Sequence, residues 1–287
     1  TGRFADAKFA LRGTIADLSS LSGVEGHASL GGPDLSQITT VFGIAPVFDG
    51  PFSTKATVHQ EAGGCAVDVD AGVGEMAAGL TGSVDSLTHP GELDLTVDAS
   101  GPDVTMIGSF AGVENLPASP FSVSGRVRWA GFPLQADNIK VQVGDNTLSA
   151  HGVLGKPPLM EGTDFKFTGG GPDVSAVAAL AGLEVPRQSY TIGGHLVRLE
   201  GGIGVERVVF EVGGISVEAD GIVGDPPAYE GTALTFRGEG PSLARLDHLV
   251  DVTLPPESFS VSGRLAQGDG AIDLENVRAR LGRITAE

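Results

Sequence analysis

Several stretches of the chain carry residue types that chemistry uses, and spacing decides what each can do. Gly72-Val73-Gly74-Glu75-Met76-Ala77 has the form of a dinucleotide fingerprint, in which glycines let the backbone approach a pyrophosphate at a helix N-terminus. No crossover-helix pattern follows it, and Gly74 falls in phase with Gly144 of Gly144-Asp145-Asn146, residues that tolerate positive φ, so a hairpin turn is expected instead. An aspartate recurs at Asp34, Asp103 and Asp173 and invites a metal or acid–base role, but its fourth counterpart is Ser242. Serine and aspartate share the ability to cap a helix start and not the ability to hold a metal, so all four are assigned as caps. The six histidines, His27, His59, His89, His151, His195 and His248, share no common phase and read as scattered surface residues. Gly-x-Ser-x-Gly, His-Glu-x-x-His and Gly-Gly-x-Gly-x-Asp are all missing from the sequence. No enzyme, cofactor or metal site is expected.

Eighteen Lys and Arg against 36 Asp and Glu give a formal charge of −18, the wrong sign for gripping phosphate backbones, so nucleic acid is not an expected partner. That acidity would keep an apolar-faced protein dispersed. The single cysteine, Cys65, excludes a disulfide framework. Glycine is 44 of 287 residues while aromatics are 6%, a composition of turn-rich β structure. A continuous apolar run of about 18 residues, enough to cross a bilayer as a helix, does not occur in the sequence. Thr1-Gly2-Arg3-Phe4 has no initiator Met or signal pattern, and Arg283-Ile284-Thr285-Ala286-Glu287 stops inside an alternating run, so the chain reads as an excised segment.

The elements that position these residues come from an internal repeat. Gly32-Pro33-Asp34, Gly101-Pro102-Asp103, Gly171-Pro172-Asp173 and Gly240-Pro241-Ser242 are spaced by 69, 70 and 69 residues. An aromatic that opens an alternating run falls at Phe52, Phe121, Tyr190 and Phe259, 69 apart each time, and Gly13, Gly82, Gly152 and Gly221 keep the same phase. The resulting division is a partial unit 1–50, units 51–119, 120–188 and 189–257, and a partial unit 258–287, with no linker between them.

In unit 120–188, Phe121, Val123, Val127 and Trp129 alternate with Ser122, Ser124, Arg126 and Arg128, the period-two signature of a strand with one dry face. Further strands are expected at Ile139–Val143, Leu148–Val153 and Phe165–Thr168. Val174, Val177, Leu180 and Leu183 then recur at helical spacing between the Asp173 cap, Gly182 and Pro186. About four strands and one short helix per unit give a mainly β fold of about 16 antiparallel strands, elongated to about 75–80 Å if continuous. One short helix covers only part of the apolar face of four strands. The rest must meet a second sheet, its own curl, or a ligand. Gly125, Gly194 and Gly263, at inward phase, either ease a curl into a trough or mark bulges in a sandwich.

Pro120-Phe121-Ser122-Val123-Ser124-Gly125, Gly152-Val153-Leu154-Gly155-Lys156-Pro157-Pro158 and Gly171-Pro172-Asp173-Val174-Ser175 with Leu180 and Gly182-Leu183 together resemble the AsmA-like family of Gram-negative envelope proteins. The copies depart from the pattern at Ala56, at Asp85-Ser86-Leu87 and at Ser189-Tyr190. The resemblance implies a curled β-groove that shields phospholipid acyl chains across the periplasm, anchored in the inner membrane through a segment outside this sequence, in outer-membrane assembly. It supplies no catalytic residues. From the alternation alone, the acyl-chain-lining residues are Phe52, Phe121, Val123, Val127, Val141, Val143, Leu148, Phe165, Phe167, Tyr190, Ile192, Phe259 and Val261. The competing expectation is a structural or adhesive stalk whose alternating face closes on itself as a dry core without ligand.

Overall fold

Alternating sequences of eight to eleven residues separated by glycine turns fold here as antiparallel ladders. The computed structural model describes residues 1–4, 6–16, 23–36, 50–61, 64–87, 90–106, 116, 118–157, 160–178, 185–249, 252–268 and 271–286. Its eighteen described strands pair antiparallel, in ladders that run through each compact unit. The chain divides into two compact units, Thr1–Gly144 and Asp145–Glu287, described separately.

The first unit holds β1 (Gly2–Phe4), β2 (Ala7–Thr14), β3 (Glu25–Gly32), β4 (Phe52–Glu61), β5 (Gly64–Val73), β6 (Met76–Val84), β7 (Leu93–Gly101), β8 (Phe121–Trp129) and β9 (Leu134–Val143). The second holds β10 (Asn146–Leu154), β11 (Asp164–Gly171), a one-turn helix α1 (Val174–Ala178), β12 (Tyr190–Leu199), β13 (Gly202–Val212), β14 (Ile215–Gly224), β15 (Ala233–Gly240), a 3-10 helix (Leu243–Leu249), β16 (Phe259–Gly268), β17 (Ala271–Leu281) and β18 (Ile284–Ala286). Eighteen strands exceed the expected sixteen through the three-residue β1 and β18. β4, β8, β12 and β16 start at the four marker aromatics.

Ladders run unbroken through the sequence-unit boundaries inside each compact unit. β3 pairs with β4 and β7 with β8 in the first, and β11 pairs with β12 and β15 with β16 in the second. The division falls at Gly144 and at none of the positions 50, 119, 188 and 257.

The marker glycines answer to steric need. A Cβ on Gly101 would lie 2.6 Å from the Phe121 ring and one on Gly240 2.6 Å from the Phe259 ring, so the Gly-Pro-Asp/Ser glycine makes room for the aromatic that opens the next strand. A Cβ on Gly152 would meet the Asp164 carbonyl and lie 2.8 Å from the Phe165 Cα; Gly82 and Gly221 meet the backbone of β7 and β15 in the same way. Gly74 opens a two-residue hairpin with φ +58° between the paired Val73 and Met76, the turn its phase implied.

The inward glycines Gly125, Gly194 and Gly263 sit opposite bulges. β8–β9 slips between Ser124 and Arg126, β12–β13 between Gly193 and His195, and β16–β17 between Ser262 and Arg264. The partner strands carry left-handed residues at Asn138, Arg207 and Asn276, themselves 69 apart. Where Ala56 replaces the glycine, β4–β5 runs without a slip. An extra residue per bulge reverses side-chain parity, and so keeps Leu134 and Ala136 on the same face as Ile139, Val141 and Val143.

α1 spans five residues; Leu180, Gly182 and Leu183, expected to extend and end it, lie outside the described residues, as do Pro158 and His89. The caps at the first three sites have side-chain bonds. Asp34, Asp103 and Asp173 Oδ1 each accept the backbone N–H two residues on, at 2.9 Å, from Ser36, Thr105 and Ser175. At Ser242 the backbone carbonyl instead accepts from Arg245 N at 3.4 Å, an i→i+3 bond that suits the 3-10 turn.

Candidate functional site: the apolar sheet face

Register places the alternating residues of each unit on one face. In the first unit, cross-strand rows run Phe52–Val73–Met76, Ala56–Val69–Leu80–Val97–Gly125 and Ala99–Val123–Val141, with Leu95 paired to Val127 and Phe121 to Val143. In the second, Leu148 pairs with Gly169 and Gly169 with Ile192, Phe165 with Leu196, and Phe167 with Gly194. Tyr190 pairs with Val212 and Ile192 with Phe210, while Val261 lies across from Gly238 and Phe259 from Gly240. Thus Phe52, Phe121, Val123, Val127, Val141 and Val143 share the face of the first unit. Leu148, Phe165, Phe167, Tyr190, Ile192, Phe259 and Val261 share that of the second.

Their burial differs by position. Phe52, Phe121 and Tyr190 are buried, at 7%, 6% and 7% exposure, and so are Ala7, Val104, Val174 and Ile215. The remaining predicted residues are half-buried, and Leu148 is exposed. Among the described residues no large side chain is fully buried. A hydrophobic face of this kind is a single layer whose inner side stays partly wet, and hydrocarbon laid on it would remove that area from water at about 25 cal/mol per Å².

The opposite face is polar and laced by cross-strand ion pairs. Arg126 bonds Asp94 through Nε (2.6 Å) and Nη2 (2.5 Å), and Arg128 bonds Asp137 at 2.6 Å. These contacts hold both aspartates below their ordinary range, through the arginine side-chain hydrogen bonds first. In the second unit His195 stands 69 residues after Arg126 and bonds Asp164 through Nε2 (2.6 Å) and Glu206 through Nδ1 (2.7 Å). The two carboxylates engage opposite ring nitrogens, so they clamp an imidazolium and do not converge on a metal.

The Asp164 hydrogen bond, followed by that of Glu206, raises the His195 pKa above its ordinary 6.5. The stabilisation is complete below about 6.5 and is lost as pH climbs through the raised value. Urea unfolding of the chain should show stability falling by about 0.5–1 kcal/mol over that rise, and His195→Arg should abolish the dependence. By its phase among the six histidines alone, His195 is a scattered surface residue. Its 69-residue spacing from both Arg126 and Arg264 was the signal that it occupies a cation position.

Among the described residues no helix is long and apolar enough to cross a membrane, and no group of three or more His, Cys, Asp or Glu could hold a metal ion. Comparison with protein-family models, curated proteins and solved structures finds no match to this chain.

Proposed function

We propose that this chain is a phospholipid-carrying segment, holding acyl chains against the apolar face of a curled β-groove, within a bridge-like protein of outer-membrane assembly. The observation that carries the reading is the one-sided, half-exposed apolar face of each unit, ordered by register and left without a facing sheet among the described residues. Residues that read as core in the sequence are too wet for a dry core and too regularly aligned for an ordinary surface. Such a face needs no directional bond to its cargo, which suits a ligand that has to move on. The sequence resemblance to AsmA-like proteins supports the periplasmic setting and an inner-membrane anchor outside this segment.

A stalk with a closed dry core is the competing reading. Native mass spectrometry of the purified chain separates the two: co-purified phospholipid and saturable uptake of a fluorescent fatty acid are expected. Neither mass nor uptake would be seen for a dry stalk, and their joint absence would overturn the proposal.

A further inference from the structure

The polar face of the second unit carries a basic cavity that acyl-chain binding does not use. Its volume is about 310 Å³, and its polar side chains come from four neighbouring strands: Arg237 on β15, Ser260 and Ser262 on β16, Arg278 and Arg280 on β17, and Thr285 on β18. Register puts them on one face, because Ser262 pairs with both Arg237 and Arg278, and Arg280 with both Ser260 and Thr285. Phe259, Val261 and Ala279 alternate with them and point to the apolar side. Among the described residues lining the cavity none is a carboxylate, in a chain whose formal charge is −18.

The preceding copy of the repeat differs at these positions. Sixty-nine residues before Ser260 and Arg280 stand Thr191 and Glu211, and there the threonine hydroxyl donates to the carboxylate at 3.2 Å, a pair complete in itself. Arg280 puts donors where Glu211 puts an acceptor, and a guanidinium has no lone pair to offer the hydroxyl. Among the described residues the hydroxyls of Ser260, Ser262 and Thr285 make no hydrogen bond to the protein. Thr168 and Val209 occupy the places of Arg237 and Arg278, so the strand pairing itself requires neither arginine.

Two contacts hold the guanidinium groups. Arg280 Nε donates to the Gly282 carbonyl at 3.1 Å, as Gln142 Nε2 donates to the Gly144 carbonyl at 3.0 Å two copies earlier, which keeps the Arg280 side chain at its hairpin and leaves its terminal nitrogens for a ligand. Arg237 is the partly committed member, donating to Glu239 at 2.9 Å.

Guanidinium groups from two strands, set around three hydroxyls, offer donors from several directions. That suits the oxygens of a tetrahedral oxyanion better than the single plane of a carboxylate. We infer that this cavity binds a phosphoryl group, carried by a soluble phosphate ester or by a lipid head. The site lies on the polar face and stands whatever the apolar face carries.

The probe is inorganic phosphate, titrated calorimetrically into the whole chain at low salt, with acetate as the planar comparison. Saturable phosphate binding about tenfold tighter than acetate is expected. Arg280→Gln takes the side chain found at position 142, keeps a donor for the hairpin carbonyl, and should weaken phosphate by about tenfold. Glu239→Gln, which releases Arg237, should tighten it by about threefold. Opposite changes on nearby strands do not arise from lost folding. Glycerol phosphate in the calorimeter and co-sedimentation with phosphatidylcholine vesicles containing phosphatidic acid separate the two sources. Glycerol phosphate uptake that depends on Arg280 supports a soluble ester, and Arg280-dependent sedimentation with the acidic vesicles alone supports a lipid head. Acetate binding as tightly as phosphate, or phosphate binding indifferent to both variants, would overturn the assignment. So would a failure to take up phosphate, glycerol phosphate and the acidic vesicles alike.

Discussion

Gly82→Val unfolds the first unit at markedly lower denaturant, losing about 2–3 kcal/mol, whereas Gly79→Ala in the same strand is neutral or slightly stabilising. At Gly82 a Cβ would drive into the Asp94 carbonyl and sit 3.0 Å from the Leu95 Cα, backbone atoms fixed by their own ladder. At Gly79 the nearest atom is a flexible Asp70 carboxylate oxygen 4.0 Å away, so a methyl group fits and the glycine's entropic cost is removed. Equilibrium urea denaturation of the two variants checks the pair. Equal stabilities would mean that the phase glycines are not set by close strand approach.

Val123→Asp abolishes acyl-chain binding by the first unit, with at least about a tenfold loss of affinity for a fluorescent fatty acid, at modest cost in stability. Val123 is half-buried between Ala99 and Val141 on the apolar face, so a carboxylate there keeps contact with water in the free protein but is dehydrated once hydrocarbon lies over it. Ser122→Asp, one residue away on the polar face, should leave affinity unchanged. Matching far-UV circular dichroism of the two variants keeps the comparison on binding.

Much of this arrangement was legible because strands announce themselves by parity. Phe121 to Trp129 alternates without interruption and is β8 to the residue. Parity also marks the limit of the reading. The strand begun at Ile139 in sequence starts at Leu134 in the structure, because the bulge at Asn138–Ile139 reverses the alternation and hides the first half of β9. Gly125 lies opposite a bulge that only the register reveals. The Asp34, Asp103 and Asp173 caps were readable from local spacing, since each bond spans two residues. His195 was not, because its Asp164 partner lies 31 residues away and meets it only through the β11–β12 register. The split between buried Phe121 and half-exposed Val123 was equally hidden, both having the same phase on one strand.

The most direct measurement places a photoreactive side chain, one variant at a time, at Ser122, Val123, Arg126 and Val127 and asks which of them captures phospholipid in cells. Crosslinks at positions 123 and 127, with none at 122 and 126, are the predicted result, lipid touching one side of β8 only. Adducts spread evenly over the four positions, or found at none of them, would contradict an acyl-chain-bearing face.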